Sequence, residues 1–245
     1  MQRNKIIIEY DGTSFAGWQK QINSISIQEC LEKAIYALSQ ERSTIFAAGR
    51  TDAGVHALGQ VAHFDLKKNY PTHTIINALN SHLRPHKIVV IDAKLASMEF
   101  HARFSARKRY YRYVINNRFS PLALDKTRCW HIRCDMNIEK MQQAAEFLIG
   151  THDFSSFRAI QCQALSPIKT LNFIKIERYD NIIILDFGAQ SFLHHMVRNI
   201  TGTLKMVGSG QCSIDDFKTI LLAKDRRKAG ITAPAHGLYF MKVDY

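Results

Sequence analysis

The chain has 245 residues, and its 33 lysines and arginines outnumber its 21 aspartates and glutamates, for a formal net charge of +12. Hydrophobic residues make up 46% of the chain and charged residues 22%, a balance typical of globular proteins that excludes wholesale disorder. No apolar run approaches the ~18–20 residues that a membrane span needs. Glu9 and Asp11 also interrupt the first apolar run before it could act as a signal peptide. We therefore expect a cytoplasmic protein that does not enter a membrane.

The first hundred residues predict alternating strands and helices. The strands are expected at Lys5–Tyr10, Thr44–Ala48, Gln60–Leu66 and Lys87–Leu95, and the helices from the capping residue Ser26 through Leu38 and from Pro71 to about Leu83. The order of this half is therefore β-α-β-β-α-β.

The second half repeats that order. Its strands are expected at Arg109–Asn116, Leu171–Tyr179, Ile182–Phe187 and Leu238–Val243, and its helices at Asn137–Ile149, at His194–Val207 and after Ser213. The doubled pattern indicates an α+β fold and lacks the steady βα repeat of a doubly wound parallel sheet. Because Ser97–Ala106 shows no clear periodicity, we place two domains at residues 1–100 and 101–245.

The positive charge is concentrated among aromatic residues. Arginines and lysines at positions 103, 107, 108, 109 and 112 are interleaved with Phe104, Tyr110, Tyr111 and Tyr113. Cations that contact phosphates and rings that stack on unpaired bases are what single-stranded RNA requires. A membrane-binding helix would instead separate the two residue types onto opposite faces. This segment favours an RNA partner over a membrane.

One loop departs from the patterning of a core. The residues from Ala47 to Ala57 read AAGRTDAGVHA, in which two glycines bracket Arg50, Thr51 and Asp52 between two predicted strands. Glycine permits close approach of a backbone to a ligand, so this loop can present Asp52 to a substrate. An ordinary turn with a surface ion pair is the competing interpretation of so short a pattern. The loop lacks the spacing of a phosphate-binding loop.

This loop resembles the signature of the tRNA pseudouridine synthase A family, whose catalytic aspartate lies in the same stretch. Further segments resemble that family in the same order, from Asp11-Gly12 to the C-terminus: HARFSARKRYYRYVI from His101, DFSSFRA from Asp153, FLHHMVRNITGTL from Phe192 and GLYFMKVDY from Gly237. The resemblance implies an α+β fold of two ferredoxin-like halves, which join their sheets into one central antiparallel sheet with an active-site cleft between the halves. It also implies a homodimer that binds the anticodon stem-loop of tRNA.

The reaction that the resemblance implies is the isomerisation of uridine to pseudouridine at tRNA positions 38, 39 and 40. The N1–C1′ bond breaks, the uracil turns, and C5 bonds to C1′, so neither a cofactor nor a metal is required. The sequence contains no obvious metal motif, since its five cysteines form no CxxC pair. The adjacent His194 and His195 are expected on a helix, where neighbouring side chains point ~100° apart.

The resemblance also assigns roles to individual residues. Asp52 matches the essential aspartate, which either attacks C1′ or removes the C2′ proton. Arg198 matches the arginine that pairs with the aspartate, and Tyr111 matches the active-site tyrosine that stacks on the base, with Tyr110 as the alternative. Arg50 matches the arginine that holds or replaces the flipped nucleotide. Leu238 is expected to form an apolar wall for the uracil.

Other basic residues are candidates for contacts with the RNA backbone, which position RNA without reading its sequence. These residues are Arg103, Arg107, Lys108, Arg158, Arg226, Arg227 and Lys228. Two other functions remain open at this point. A non-catalytic RNA-binding protein of the same fold would share the charge and the aromatic residues, but would not need Asp52, Arg198 and Tyr111. A metal-dependent nuclease is disfavoured because the sequence shows no acidic cluster suited to two metals.

Overall fold

The computed structural model describes residues 1–245, which form ten strands and five α-helices. The strands are β1 (Gln2–Tyr10), β2 (Phe46–Ala47), β3 (His56–Leu66), β4 (Ile88–Ala96), β5 (Lys108–Asn117), β6 (Trp130–Ile132), β7 (Gly150–Asp153), β8 (Ile168–Tyr179), β9 (Ile182–Ala189) and β10 (Leu238–Asp244). The helices are α1 (Ile27–Ser39), α2 (Thr72–Leu83), α3 (Ile138–Glu146), α4 (Met196–Gly208) and α5 (Ile214–Ala223). None of the helices combines the length and the apolar character needed to cross a bilayer.

The chain divides into two compact units at a different place from the boundary expected at residues 100 and 101. The first unit comprises Met1–Arg107 together with Tyr239–Tyr245, and the second comprises Lys108–Leu238. The C-terminal residues return to the first unit because β10 pairs with β3, with Tyr239 opposite His56 and Phe240 opposite Ala57. The last strand was predicted as part of the second half, and this parallel pairing between distant segments has no signature in sequence.

The first unit has the β-α-β-β-α-β order that its sequence predicts. Strand β1 pairs antiparallel with both β4 and β3, and β2 pairs antiparallel with β3. The resulting order β4-β1-β3-β2 is that of a ferredoxin-like sheet, to which β10 adds a parallel pair. Alternate residues of β1 are buried, and Ile6, Ile8 and Phe64 are fully inaccessible to solvent. Alternation of this kind is expected of a sheet whose one face packs on helices.

The second unit contains the first five elements of the same order, β5-α3-β8-β9-α4. Strand β9 pairs antiparallel with β5 and with β8, and the β8–β9 hairpin turns at Asp180, which has a φ of 51°. Two short strands were not predicted: β6 pairs parallel with β5, and β7 pairs with β8. Strands of three or four residues are too short to show a period of two. Each unit therefore has a mixed sheet, whereas an antiparallel one was expected.

The helix ends follow the capping chemistry of their sequences. The Ser26 hydroxyl accepts the amide N–H of Glu29 at the start of α1, and Ser213 and Asp216 form a complete capping box at the start of α5. Helix α4 begins at Met196, two residues later than predicted, because His195 adopts a left-handed conformation with a φ of 61°. The predicted helical separation of His194 and His195 is therefore wrong, and their ring centroids lie 4.0 Å apart.

Candidate active site

In the first unit, Asp52 lies in the loop between β2 and β3, next to the buried residue Thr51. The hydroxyls of Tyr10 and Thr51 are hydrogen-bonded at 2.7 Å, and the backbone N–H of Trp18 donates to the Thr51 carbonyl at 3.0 Å. The N–H of Val55 donates to the carbonyl of Asp52 itself at 3.2 Å. These three bonds fix the backbone on both sides of the carboxylate, whose side chain is half-buried.

Two glycines allow the segment before α1 to lie directly against this loop. A Cβ at Gly12 would overlap the carbonyl oxygen of Val55, and a Cβ at Gly17 would lie 2.7 Å from the carbonyl oxygen of Thr51. Gly17 also has a φ of 99°, which is strained for any other residue. Tyr10, Gly12 and Gly17 were not predicted to support Asp52. The spacing of the two glycines just after the first predicted strand was the available signal.

A second buried contact holds the far end of the loop. The backbone N–H of Gly12 donates to Nδ1 of His56 at 3.1 Å, and the imidazole stacks on the ring of Tyr239 with centroids 4.8 Å apart. Burial raises the pKa of Tyr10 to about 12, so the phenol that bonds Thr51 stays protonated at neutral pH. The loop is therefore held by the hydrogen bonds of Tyr10 and His56 and by backbone contacts, and the Asp11 carboxylate lies 3.3 Å from Nδ1 of the same His56. Arg50, in contrast, is exposed on it.

In the second unit, Tyr111 and Tyr110 point to opposite faces of β5. Tyr111 is 9% exposed and meets the ring of Phe192 edge-on, with centroids 5.0 Å apart. Tyr110 is half-buried, and its ring lies 6.1 Å from that of Phe173. The alternation of β5 separates the two candidates, and places Tyr111 on the face that also holds the buried Tyr113.

Arg198 lies in the first turn of α4, the helix that follows Phe192. Its Nε donates to the carbonyl oxygen of Ala233 at 2.8 Å, and the N–H of Ala233 donates to the carbonyl oxygen of Arg198 at 3.1 Å. Leu238 is 6% exposed and directly follows Gly237, at which a Cβ would lie 2.6 Å from the ring of Tyr113. The second unit thus holds Tyr111, Arg198 and Leu238, and the first unit holds Asp52 and Arg50.

The residues predicted to contact RNA differ in their exposure and in their contacts within the protein. Arg103 and Arg107 are exposed, and the Arg103 guanidinium lies 5.5 Å from the centroid of Phe104. The ammonium of Lys108 lies 5.1 Å from the ring centroid of Tyr110. Arg158 instead donates from Nη2 to the carbonyl oxygens of Cys162 and Ala164, each at 2.7 Å. These bonds stabilise the loop that follows Arg158.

In the basic run of residues 226–228, Arg227 and Lys228 are exposed. Arg226 is half-buried and donates to backbone carbonyls of its own unit. Its guanidinium thus bonds groups within the protein, whereas a contact with RNA was expected from the sequence. Sequence composition does not distinguish an inward-facing arginine from an outward-facing one, because both lie in the same basic run.

Comparison with known proteins places the chain in a family. Residues 6–105 and 144–245 match the family model described as tRNA pseudouridine synthase. Proteins named tRNA pseudouridine synthase A from Ehrlichia chaffeensis and Ehrlichia canis are each 54% identical over 244 residues, covering 99% of this chain and all of the relative. A chain from the crystal structure of a Cbf5-Nop10-Gar1 complex aligns with 9% identity and a TM-score of 0.39, covering 96% of this chain and 57% of that one. On the family match and the full-length relatives, the chain belongs to the tRNA pseudouridine synthase family.

Proposed function

We propose that this protein isomerises uridine to pseudouridine in tRNA, at positions 38, 39 and 40 of the anticodon stem-loop. The observation that carries the proposal is the full-length similarity, at 54% identity, to proteins named tRNA pseudouridine synthase A. The specific positions come from the family resemblance of the Asp52 loop and of the segments that contain Tyr111 and Arg198. The net charge of +12 is consistent with a polyanionic substrate.

Asp52 is the residue that we assign to the bond rearrangement. Its carboxylate either attacks C1′ of the target nucleotide or removes the C2′ proton, and in both cases the N1–C1′ bond breaks. The freed uracil turns and C5 bonds to C1′, which breaks the bond between the carboxylate and C1′ in the first case and is followed by return of a proton to C2′ in the second. The C5 proton leaves to solvent, and N1 takes up a proton. A carboxylate in this role must be held at a fixed position relative to the sugar. The hydrogen bonds through Thr51 and the backbone contacts of Gly12 and Gly17 supply such a fixed position.

Four other residues complete the proposed set. Arg198 is the cationic partner of the catalytic carboxylate, and Tyr111 stacks on the extruded base. Arg50 holds the flipped nucleotide or takes the position that it vacates, and Leu238 forms an apolar wall for the uracil. Extrusion of a stacked base costs a few kcal/mol, which contacts of this kind offset.

Four basic residues are proposed to hold the RNA backbone. Arg103, Arg107 and Lys108 flank aromatic side chains, and Arg158 has the same assignment from sequence. We further propose that the enzyme works in the cytoplasm as a homodimer on the anticodon stem-loop. Binding should weaken steeply as salt increases, because each phosphate that the protein neutralises releases a counterion. An affinity that does not change with salt would contradict the electrostatic part of this proposal.

The decisive experiment compares wild-type protein with Asp52→Asn in a tritium-release assay on tRNA labelled at C5 of uridine. The substitution keeps the size of the side chain and removes its charge. We expect the release of tritium to disappear while the affinity for tRNA stays within about threefold, because phosphate contacts dominate binding. Retained release by the variant would exclude Asp52 as the catalytic residue. If the wild type binds tRNA but never releases tritium, the protein is a non-catalytic RNA-binding member of the family.

A further inference from the structure

One segment of the second unit packs unusually closely on the helix that carries Arg198. Residues 230–233 lie against α4 at Gly202, where a Cβ would overlap the carbonyl oxygen of Ile231. On the other side, a Cβ at Gly230 would lie 2.7 Å from the carbonyl oxygen of Gly202. The N–H of Gly230 also donates to Oγ1 of the buried residue Thr203 at 2.9 Å. We call residues 229–233 the latch segment.

Arg226 ties the latch segment to α4 through its guanidinium. Nη1 donates to the carbonyl oxygens of Ala229 and Gly230, at 3.3 and 2.8 Å. Nη2 donates to Oδ1 of Asn199 and to Oγ1 of Thr232, each at 3.1 Å. The Thr232 hydroxyl donates in turn to the same Asn199 oxygen at 2.7 Å. One side chain therefore bonds three residues of the latch segment and one residue of the helix.

The end of the latch segment holds the side chain of Arg198. Ala233, which is fully buried, accepts from Nε of Arg198 at 2.8 Å and donates its N–H to the Arg198 carbonyl at 3.1 Å. A hydrogen bond at Nε restricts rotation of the guanidinium about the Cδ–Nε bond. The direction in which Arg198 presents its two Nη groups thus depends on the position of the Ala233 carbonyl.

We infer that Arg226 is a positioning residue for Arg198, and that it acts through the latch segment. Asn199 is the residue next to Arg198, and its Oδ1 accepts hydrogen bonds from Arg226 and Thr232. Its Nδ2 donates to the Phe157 carbonyl at 2.9 Å. The side chain of Asn199 therefore connects the latch segment to the first turn of α4. The inference rests on the proposed function, because it gives Arg226 a role only if Arg198 takes part in the reaction.

A lysine cannot replace Arg226 in this arrangement. The planar guanidinium serves four acceptors from two nitrogens at fixed angles, whereas an ammonium is a compact group on a flexible stem. The guanidinium also supplies donors to the carbonyl oxygens of Ala229 and Gly230, and buried carbonyls without donors cost free energy. Arg178 provides a control in the same unit. It is exposed, but its Nη2 likewise bonds a side-chain amide oxygen and a backbone carbonyl, those of Asn117 and Met136, with no contact to α4 in these bonds.

The test combines Arg226→Lys and Arg226→Met with the control Arg178→Met, each in full-length protein. Single-turnover rates on tRNA are measured in the wild-type background and in an Arg198→Lys background. We expect the Arg226 variants to lower the rate about tenfold in the wild-type background, with tRNA affinity within twofold, and to have little further effect once Arg198 is replaced. Arg178→Met should lower the melting temperature without this change in rate. Equal loss of rate in both backgrounds would show a merely structural role and overturn the inference.

A second measurement does not depend on catalysis. The Nε–H of Arg198, assigned by its loss in Arg198→Lys, is followed by NMR for exchange with solvent. Faster exchange in both Arg226 variants than in Arg178→Met is expected, because the Ala233 acceptor is no longer held. Unchanged exchange overturns the inference even if the rates fall. If Arg198→Lys retains full activity, the proposed role of Arg198 fails, and the inferred role of Arg226 in the reaction fails with it. Faster exchange would then still show that Arg226 orients Arg198.

Discussion

Asp52 and Arg198 are supported in two different ways. The loop of Asp52 has no repeating backbone hydrogen bonds, so its position depends on separate attachments: the hydroxyl pair of Tyr10 and Thr51, and the close contacts of Gly12 and Gly17. Arg198 lies on a helix that forms its own backbone bonds, and the protein needs to fix only the direction of the side chain. A reactive group on a loop thus requires backbone anchors, whereas one on a helix requires an anchor for its side chain.

The strongest test of this comparison replaces one glycine packed against the loop of Asp52 and one glycine packed against the latch segment. Gly12→Ala and Gly202→Ala each place a Cβ against a backbone carbonyl that cannot move without shifting its segment. We expect each to lower the free energy of unfolding by about 2–3 kcal/mol and to reduce activity strongly. Denaturant titration with a single-turnover assay measures both effects.

The control for the glycine test lies on α4 itself. The three atoms nearest to a Cβ at Gly208 would all belong to the flexible side chains of Met136 and Met141. Because these methionines can shift, and because alanine favours helix more than glycine does, Gly208→Ala should be close to neutral. A neutral Gly202→Ala would show that the latch segment adapts freely, and would remove the structural basis for the anchor of Arg198.

An intermediate effect is expected from the buried hydroxyl pair. Tyr10→Phe leaves the Thr51 hydroxyl without this partner and should cost about 1–2 kcal/mol. The double variant Tyr10→Phe, Thr51→Val removes both polar groups, so most of the stability should return. The hydrogen bond beside Asp52 is still absent in this variant. Stability that recovers without activity would show that the bond positions the carboxylate. Recovery of both would show that the bond serves stability alone.

The smallest expected effect is a loss of stability of the first unit at acidic pH. His63 is 2% exposed, and its Nδ1 accepts the N–H of Ala102 at 3.1 Å. Burial lowers the pKa of His63 to about 4, and the positive charges of His101 and Arg3 add to the effect, whereas Asp65 opposes it. The folded state therefore favours the neutral imidazole.

The sign of the resulting pH dependence follows from the depressed pKa. The stability that neutral His63 contributes is present above its ordinary pKa of 6.5 and is lost as the pH falls from there toward about 4. We expect a loss of about 1 kcal/mol at pH 5.5, measured by urea titration at several pH values. His63→Gln should lack this component. An identical pH profile for the variant would contradict the assignment to His63.

Much of the molecule could be predicted from local pattern. The capping residues Ser26 and Ser213, the turn at Asp180 and the periodicity of the longer strands all correspond to elements that form. The family was also predicted from the Asp52 loop and the segments that accompany it, and the comparisons confirm it. The specific roles of Asp52, Tyr111 and Arg198 remain predictions that the experiments above address.

What the sequence determined by itself is the identity of its elements and of its family, because helix caps, strand periods and signature loops depend on residues close together in the chain. Tertiary structure alone decided that β10 returns to pair with β3, that His195 breaks the helix before Met196, and that Arg226 turns inward to carbonyl oxygens. Each of these depends on contacts between residues far apart in sequence or on a backbone conformation that packing imposes. Such contacts leave no local period or motif from which they could be read.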